Sequence, residues 1–94
     1  MATYFMFGKY SQDAIKGISS NRTKEAQVAI EKLGGKIKSI HALLGTYDLV
    51  LIVDFAKLQD AMKASLALTR LTGVGFSTAP AISVEEFDKI IAEA

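Results

Sequence analysis

The chain has 94 residues and a formal net charge of +1, so it suits one small domain and lacks the basic excess of nucleic-acid binders. It contains no cysteine, which excludes disulfides and thiolate-bound zinc. No apolar run approaches the roughly 20 residues of a membrane span, and the N-terminus lacks the basic region of a signal peptide. We therefore expect a single cytoplasmic domain, residues 1–94, without nucleic-acid or membrane partners.

The chain contains more hydrophobic residues than a domain of this size can easily bury. Half of the residues (50%) are hydrophobic, whereas a domain of this size buries only about 60–65% of its unfolded surface. This excess predicts a partner surface, most simply a second copy of the chain.

Four strands and two long helices are predicted in chain order. Strands are expected at residues 3–9, 36–44, 47–55 and 74–82, where apolar residues are dense. Helices are expected at residues 21–33 and 57–72, where apolar residues recur at helical spacing and a glycine follows. A short helical piece is expected at 12–18, and a capping box at Ser83 begins a tail helix over residues 84–93. Pro80 assigns the fourth strand to a sheet edge.

The order strand–helix–strand–strand–helix–strand predicts a ferredoxin-like α+β fold, βαββαβ, with two helices on one face of a four-stranded antiparallel sheet. The first and third strands are then central. Both are apolar at nearly every position, although a sheet with one face in water alternates apolar and polar residues. Since the helices cover only one face, the sequence predicts at least a homodimer closed through the helix-free face, as in a dimeric α/β barrel.

Gly45-Thr46 predicts a two-residue type II′ hairpin, which fixes the pairing of the second and third strands. Ala42 then faces Leu49 and Lys38 faces Val53 on the helix side. The opposite face mixes aliphatic residues with polar ones, a pattern typical of a ligand cavity, a homodimer interface or both. Its polar residues are Ser39, His41, Asp48 and Asp54.

Asp48 and His41 are the candidate catalytic residues. As diagonal neighbours on one sheet face, a carboxylate and an imidazole would form a general acid–base pair. The alternative is structural: Asp48 accepts hydrogen bonds from turn amides, and His41 is a packed interface residue. One imidazole without a thiolate does not predict a metal site, and no cofactor motif is present.

Five other residues are candidate ligand-binding residues. Arg22 begins the long helix beside its apolar stripe and could bind an anionic group or pair with Asp54; alternatively, its head stays in water and Asp54 caps the next helix. Tyr10 ends the first strand at the mouth of the sheet. The remaining two candidates are Ser39 and Tyr47.

The chain resembles the GYD family of small bacterial proteins over nearly its full length. The matching residues are Tyr4, Tyr10-Ser11, Gly17, Arg22, Gly34-Gly35, Gly45-Thr46-Tyr47-Asp48 and Gly73-Val74. The resemblance implies a fold similar to dimeric α/β-barrel proteins and implies no particular chemistry. The chain departs from the family pattern at Asp54-Phe55-Ala56-Lys57, and at His41, where an aromatic residue is expected. The Gly-x-Tyr-Asp hairpin is also similar to the ligand-sensing domain of leucine-responsive regulators.

Three functions are compatible with these features. The first is a homo-oligomeric small-molecule-binding module with its cavity at the helix-free sheet face. The second is a cofactor-independent enzyme, an isomerase or monooxygenase, acting on a small hydrophobic or aromatic substrate. The third is an amino-acid effector-binding or assembly module in which the tail helix docks on a neighbour.

Overall fold

The structure, a computed structural model, describes residues 1–94 as four strands and four helices. The elements are β1 (Ala2–Lys9), α1 (Gln12–Lys16), α2 (Ser20–Lys32), β2 (Lys36–Ala42), β3 (Leu49–Phe55), α3 (Leu58–Thr72), β4 (Gly75–Ala81) and α4 (Val84–Glu93). The predicted ferredoxin-like order is confirmed, and the predicted short helical piece and tail helix are present as α1 and α4. None of the helices is both long enough and apolar enough to cross a membrane.

The four strands form one antiparallel sheet in the order β2-β3-β1-β4. The apolar strands β1 and β3 are therefore central, as predicted. Pro80 lies on the edge strand β4, where its missing N–H costs no ladder hydrogen bond.

The core lies between one face of the sheet and helices α2 and α3. Alternate residues of β1 and β3 are buried there because successive side chains of a strand point to opposite faces. Tyr4 and Phe55 meet edge to face, with ring centroids 5.8 Å apart. The buried cluster consists of Tyr4, Met6, Ile30, Leu51, Val53, Phe55, Ala61, Ala64 and Leu68.

The predicted hairpin is wrong at its turn. Strand β2 ends at Ala42 and β3 begins at Leu49, so Gly45-Thr46 belongs to a loop over residues 43–48 instead of a two-residue turn. The pairing of Ala42 with Leu49 is nevertheless as predicted. The loop stays wide because Asp48 is hydrogen-bonded to Gly8 of β1 and to Tyr10 just after it, and Leu44 extends fully into solvent.

The predicted pairing of Lys38 with Val53 is also wrong. The register shifts between Ile37 and Ser39, so that Ile37 pairs with Val53 and Lys38 is the extra residue of a bulge. Ile37 then packs against the core, whereas an unshifted register would have directed Lys38 there.

Candidate functional site

Hydrogen bonds of Asp48 connect the loop between β2 and β3 to the end of β1. Its carboxylate Oδ2 accepts a hydrogen bond from the Tyr10 backbone N–H at 2.8 Å. Its own backbone N–H donates to the Gly8 carbonyl at 2.8 Å, and its carbonyl accepts from Leu43 N–H at 2.8 Å. Asp48 therefore joins three chain segments at this end of the sheet.

Tyr10, which Asp48 binds, is in turn in contact with Arg22. The Arg22 guanidinium carbon lies 5.8 Å from the centroid of the Tyr10 ring, within cation–π range. Its Nη1 donates to the Ala14 carbonyl, which also accepts from the Gly17 backbone N–H where α1 ends. A Cβ atom at Gly17 would lie 2.9 Å from Arg22 Nη1, so glycine leaves the space the guanidinium occupies.

The first turn of α2 positions Arg22. Ser19 caps this helix, with its Oγ accepting from the Arg22 backbone N–H at 3.1 Å. Ser11 likewise caps α1, accepting from Ala14 N–H at 3.0 Å. The two caps fix the helix starts that bring Arg22 over Tyr10.

Arg22 and Tyr10 lie at a cleft of about 70 Å³ between α2, α3 and the helix-covered face of the sheet. Thr23 and Thr72 add two hydroxyl groups to its wall, and Thr72 Oγ1 already donates to the Leu68 carbonyl at 2.7 Å. The rest of the lining is apolar: Ala26, Ile40, Leu49, Leu51, Leu68, Val74 and Phe76. The cleft thus combines one cation with an apolar floor.

The opposite, helix-free face of the sheet is apolar along its centre. The register sets Phe5 opposite Ile52 and Phe7 opposite Val50 on this face. The rings of Phe5 and Phe7 are 6.2 Å apart, and Tyr47 lies over Phe7 at 5.2 Å. Phe5 and Ile52 also line an open groove of about 570 Å³ that continues to the start of α4.

Asp54 lies at the rim of the helix-free face. Thr3 Oγ1 donates to its Oδ1 at 2.6 Å, and Lys38 Nζ is 3.7 Å from its Oδ2. The hydrogen bond from Thr3 lowers the pKa of Asp54, the positive charge of Lys38 lowers it further, and partial desolvation opposes both. The expected pairing of Asp54 with Arg22 is wrong, because the two side chains have separate partners. The expected cap is also wrong, since the N-cap residue of α3 is Lys57 and no side chain caps this helix.

The predicted site residues are therefore divided between the two faces of the sheet. Arg22 and Tyr10 line the helix-side cleft, whereas Ser39 and His41 pair with Ile52 and Val50 on the helix-free side. No hydrogen bond joins His41 to Asp48, whose carboxylate is bound to Tyr10 instead. No group of three or more His, Asp or Glu side chains comes together.

Sequence reasoning missed the connection from Asp48 through Tyr10 to Arg22. The sequence feature that pointed towards this connection is the set of small and capping residues around Arg22, namely Ser11, Gly17 and Ser19. These residues mark two closely spaced helix starts, but their spacing does not reveal that Arg22 reaches back to Ala14.

Comparison with models of known protein families identifies the family of this chain. The family model described as GYD domain matches residues 4–91. The chain belongs to the GYD domain family. The match includes the Gly45-Thr46-Tyr47-Asp48 segment, whose aspartate holds Tyr10 in this GYD domain. Comparison with curated proteins found no match.

Solved structures share the fold at low identity. The leucine response regulatory protein LrpA of Mycobacterium tuberculosis is 11% identical, with a TM-score of 0.58 over 87% of this chain and 51% of that one. This GYD domain thus spans about half of the regulator's length. The protein TTHA0845 of Thermus thermophilus is 22% identical, with a TM-score of 0.57 over 88% of this chain and 95% of that one. The hypothetical protein PHS023 of Pyrococcus horikoshii is 22% identical, with a TM-score of 0.54 over 88% and 92%.

Proposed function

We propose that this GYD domain is a homo-oligomeric module that binds a small molecule carrying an anionic group and a short apolar tail. The observation that supports it best is the pairing of Arg22 with an apolar cleft. A guanidinium has five N–H donors, and the hydrogen bond to Ala14 uses one nitrogen. The remaining donors suit a carboxylate, which arginine binds in bidentate geometry.

The size of the cleft restricts the ligand. A volume of about 70 Å³ accommodates a few carbon atoms, such as a branched aliphatic end. Leu51 and Leu68 at its floor favour such a tail, since burying each methylene contributes about 0.8 kcal/mol. A short branched carboxylate satisfies both requirements, with its head at Arg22 and its tail on the leucines.

Oligomerisation is supported by the helix-free face. Its centre is a contiguous apolar surface that includes Phe5, Phe7 and Ile52, and no helix of the same chain packs on it. A second copy packed face to face would form an aligned two-sheet arrangement. It would also close the groove over Phe5 and Ile52, which is where the predicted helix-free cavity would form.

The ligand proposal is tested by titrating the ¹⁵N-labelled chain with isovalerate and following amide shifts by NMR. We expect shifts centred on Tyr10 and Arg22, and roughly tenfold weaker binding or worse in Arg22→Gln, because a hydrogen bond to a charged group contributes about 1.5–3 kcal/mol. Arg70→Gln, at the exposed end of α3, is the matched control and should bind normally. Isovaleramide has the same tail without the charge and should bind far more weakly.

Two results would refute this ligand class. One is an absence of shifts with isovalerate; the other is equal affinity for the acid and the amide. Leucine should be titrated in parallel, because a leucine response regulatory protein shares the fold. Preference for leucine over isovalerate would favour an amino-acid effector instead.

The oligomer proposal is tested by light scattering on the intact chain. We expect at least a dimer, and loss of the face-to-face dimer with a lower mass in Phe5→Glu, which would place a charge in the interface. Leu66→Glu is the control, because Leu66 is exposed on α3, away from the helix-free face. A folded wild-type monomer at micromolar concentration would contradict the proposal.

A further inference from the structure

Helix α4 presents an apolar face that its own chain leaves uncovered. Every residue of this ten-residue helix is exposed, and Phe87 and Ile91 are 52% and 59% exposed. Val84 and Ile90 extend the same face, because residues three, four and seven apart lie on one side of a helix. An isolated helix of this length is marginal in water, so a partner is expected to bury this face.

The charges of α4 restrict what that partner is. The helix carries four carboxylates and a single lysine. Glu86 and Glu93 follow one edge of the apolar face, two turns and roughly 10 Å apart. This acidity disfavours the anionic surface of a membrane and favours a groove with a basic rim.

A groove with these properties lies on the outer surface of α2 and the end of α3. Its volume is about 510 Å³ and its floor includes Val28 and Leu71, which are 49% and 45% exposed. Lys24 and Lys32 rim it, two turns and roughly 12 Å apart along α2. Glu25 also lines it, so the two lysines leave a charge of +1. The spacing of the lysines matches that of Glu86 and Glu93.

The other exposed groove on the helix layer is less suitable. It lies between α3 and β4, has a volume of about 280 Å³ and includes Leu58, Met62 and Leu66. No charged side chain lines it, so it offers nothing to Glu86 and Glu93.

The α4 of the same chain cannot fill the groove on α2. It follows β4 after only two residues, Ile82 and Ser83, which span at most about 7 Å. Ser83 and Glu86 lie at the helix-free face, whereas α2 packs on the other face. In addition, α2 packs on β2. Strand β2 lies at the opposite edge of the sheet from β4, and the two strands are roughly 14 Å apart.

We propose that α4 of one chain docks in the α2 groove of a second copy, with Phe87 and Ile91 on Val28 and Leu71 and with Glu86 and Glu93 facing Lys24 and Lys32. The donating and accepting surfaces differ, so the contact is heterologous. The accepting groove lies on α2 and α3, away from the helix-free face, so the contact links copies beyond a face-to-face dimer.

The test is a charge exchange in the intact chain, read by sedimentation velocity at low salt. Lys24→Glu/Lys32→Glu should dissociate the species larger than a dimer, with assembly roughly tenfold weaker, because it sets like charges against each other. Glu86→Lys/Glu93→Lys should do the same. A chain carrying all four substitutions should regain the wild-type mass, since the charges are again opposite.

Phe87→Asp tests the apolar contact, and Lys63→Glu on α3 is a matched charge control that should leave the mass unchanged. Circular dichroism of each variant verifies that the domain is folded. The proposal is overturned if the wild type forms nothing larger than a dimer, if the fourfold variant fails to reassemble, or if Phe87→Asp dissociates the assembly while both charge reversals do not. The last result would mean that α4 binds another surface. Loss of the dimer itself, by contrast, concerns only the helix-free face and is diagnosed by Phe5→Glu.

Discussion

The carboxylate of Asp48 accepts a hydrogen bond from the backbone N–H of Tyr10, 38 residues earlier in the chain, at 2.8 Å. This bond gives the aspartate of the Gly-x-Tyr-Asp segment a structural role: it holds the end of β1 where Tyr10 can support Arg22. Hydrogen bonds and ring contacts thereby connect the loop bearing the Gly-x-Tyr-Asp segment to the cleft on the helix side.

Asp48→Ala should lower the free energy of unfolding by about 1–2 kcal/mol, because a half-buried backbone N–H loses a charged acceptor. Asp48→Asn keeps an acceptor oxygen and should lose less. Urea denaturation measures both values. Equal stability of Asp48→Ala and the wild type would show that the bond to Tyr10 contributes nothing.

Gly35→Ala should destabilise the domain by about 1–3 kcal/mol through overpacking. A Cβ atom there would lie 2.6 Å from Ile30 Cγ2 and 2.7 Å from the Phe55 ring, and both side chains are fully buried. Gly45→Ala is the control, since nothing lies within 4 Å of its Cβ position and its φ is not positive. Thermal denaturation should separate the two variants; similar midpoints would contradict the close packing at Gly35.

Thr3→Val should raise the pKa of Asp54 towards its ordinary value, because the hydrogen bond from Thr3 is the largest cause of its lowering. Lys38→Met should raise it as well, because the charge and the hydrogen bond of Lys38 also lower this pKa. A group whose pKa is lower in the folded than in the unfolded state stabilises the fold at pH values above its unfolded pKa. That stabilisation is lost as the pH falls through the folded pKa. NMR titration of the Asp54 carboxyl carbon measures the shift, and an unchanged pKa in Thr3→Val would contradict this role of the hydrogen bond.

Leu44→Ser should change the free energy of unfolding by less than about 0.5 kcal/mol, because Leu44 is completely exposed at the tip of the loop. Leu51→Ala, in the core, should cost about 2–5 kcal/mol. Chemical denaturation of the two variants tests the open loop directly. A two-residue hairpin would instead have packed Leu44 against Tyr47 and made its loss costly.

Periodicity in the sequence was sufficient to predict the sheet, its central strands and the helix-covered face. It did not predict the wide loop, because that loop depends on the bond from Asp48 to Tyr10, a contact between distant segments. The site was only partly predictable for the same reason. The sequence singled out Arg22 as a candidate, but the place of its guanidinium over Tyr10 depends on where α1 ends, which no local pattern specifies.

The extra residue at Lys38 also affects how the length of this segment can vary. Ile37 and Ile40 are three positions apart, yet both pack against the core, and only the bulge makes that compatible with the two-residue repeat of a strand. Removing Lys38 would leave both isoleucines in their present orientation in a regular β2. Homologous chains one residue shorter between Gly35 and Ile40 are therefore expected to keep the same core, giving up only the ammonium group beside Asp54.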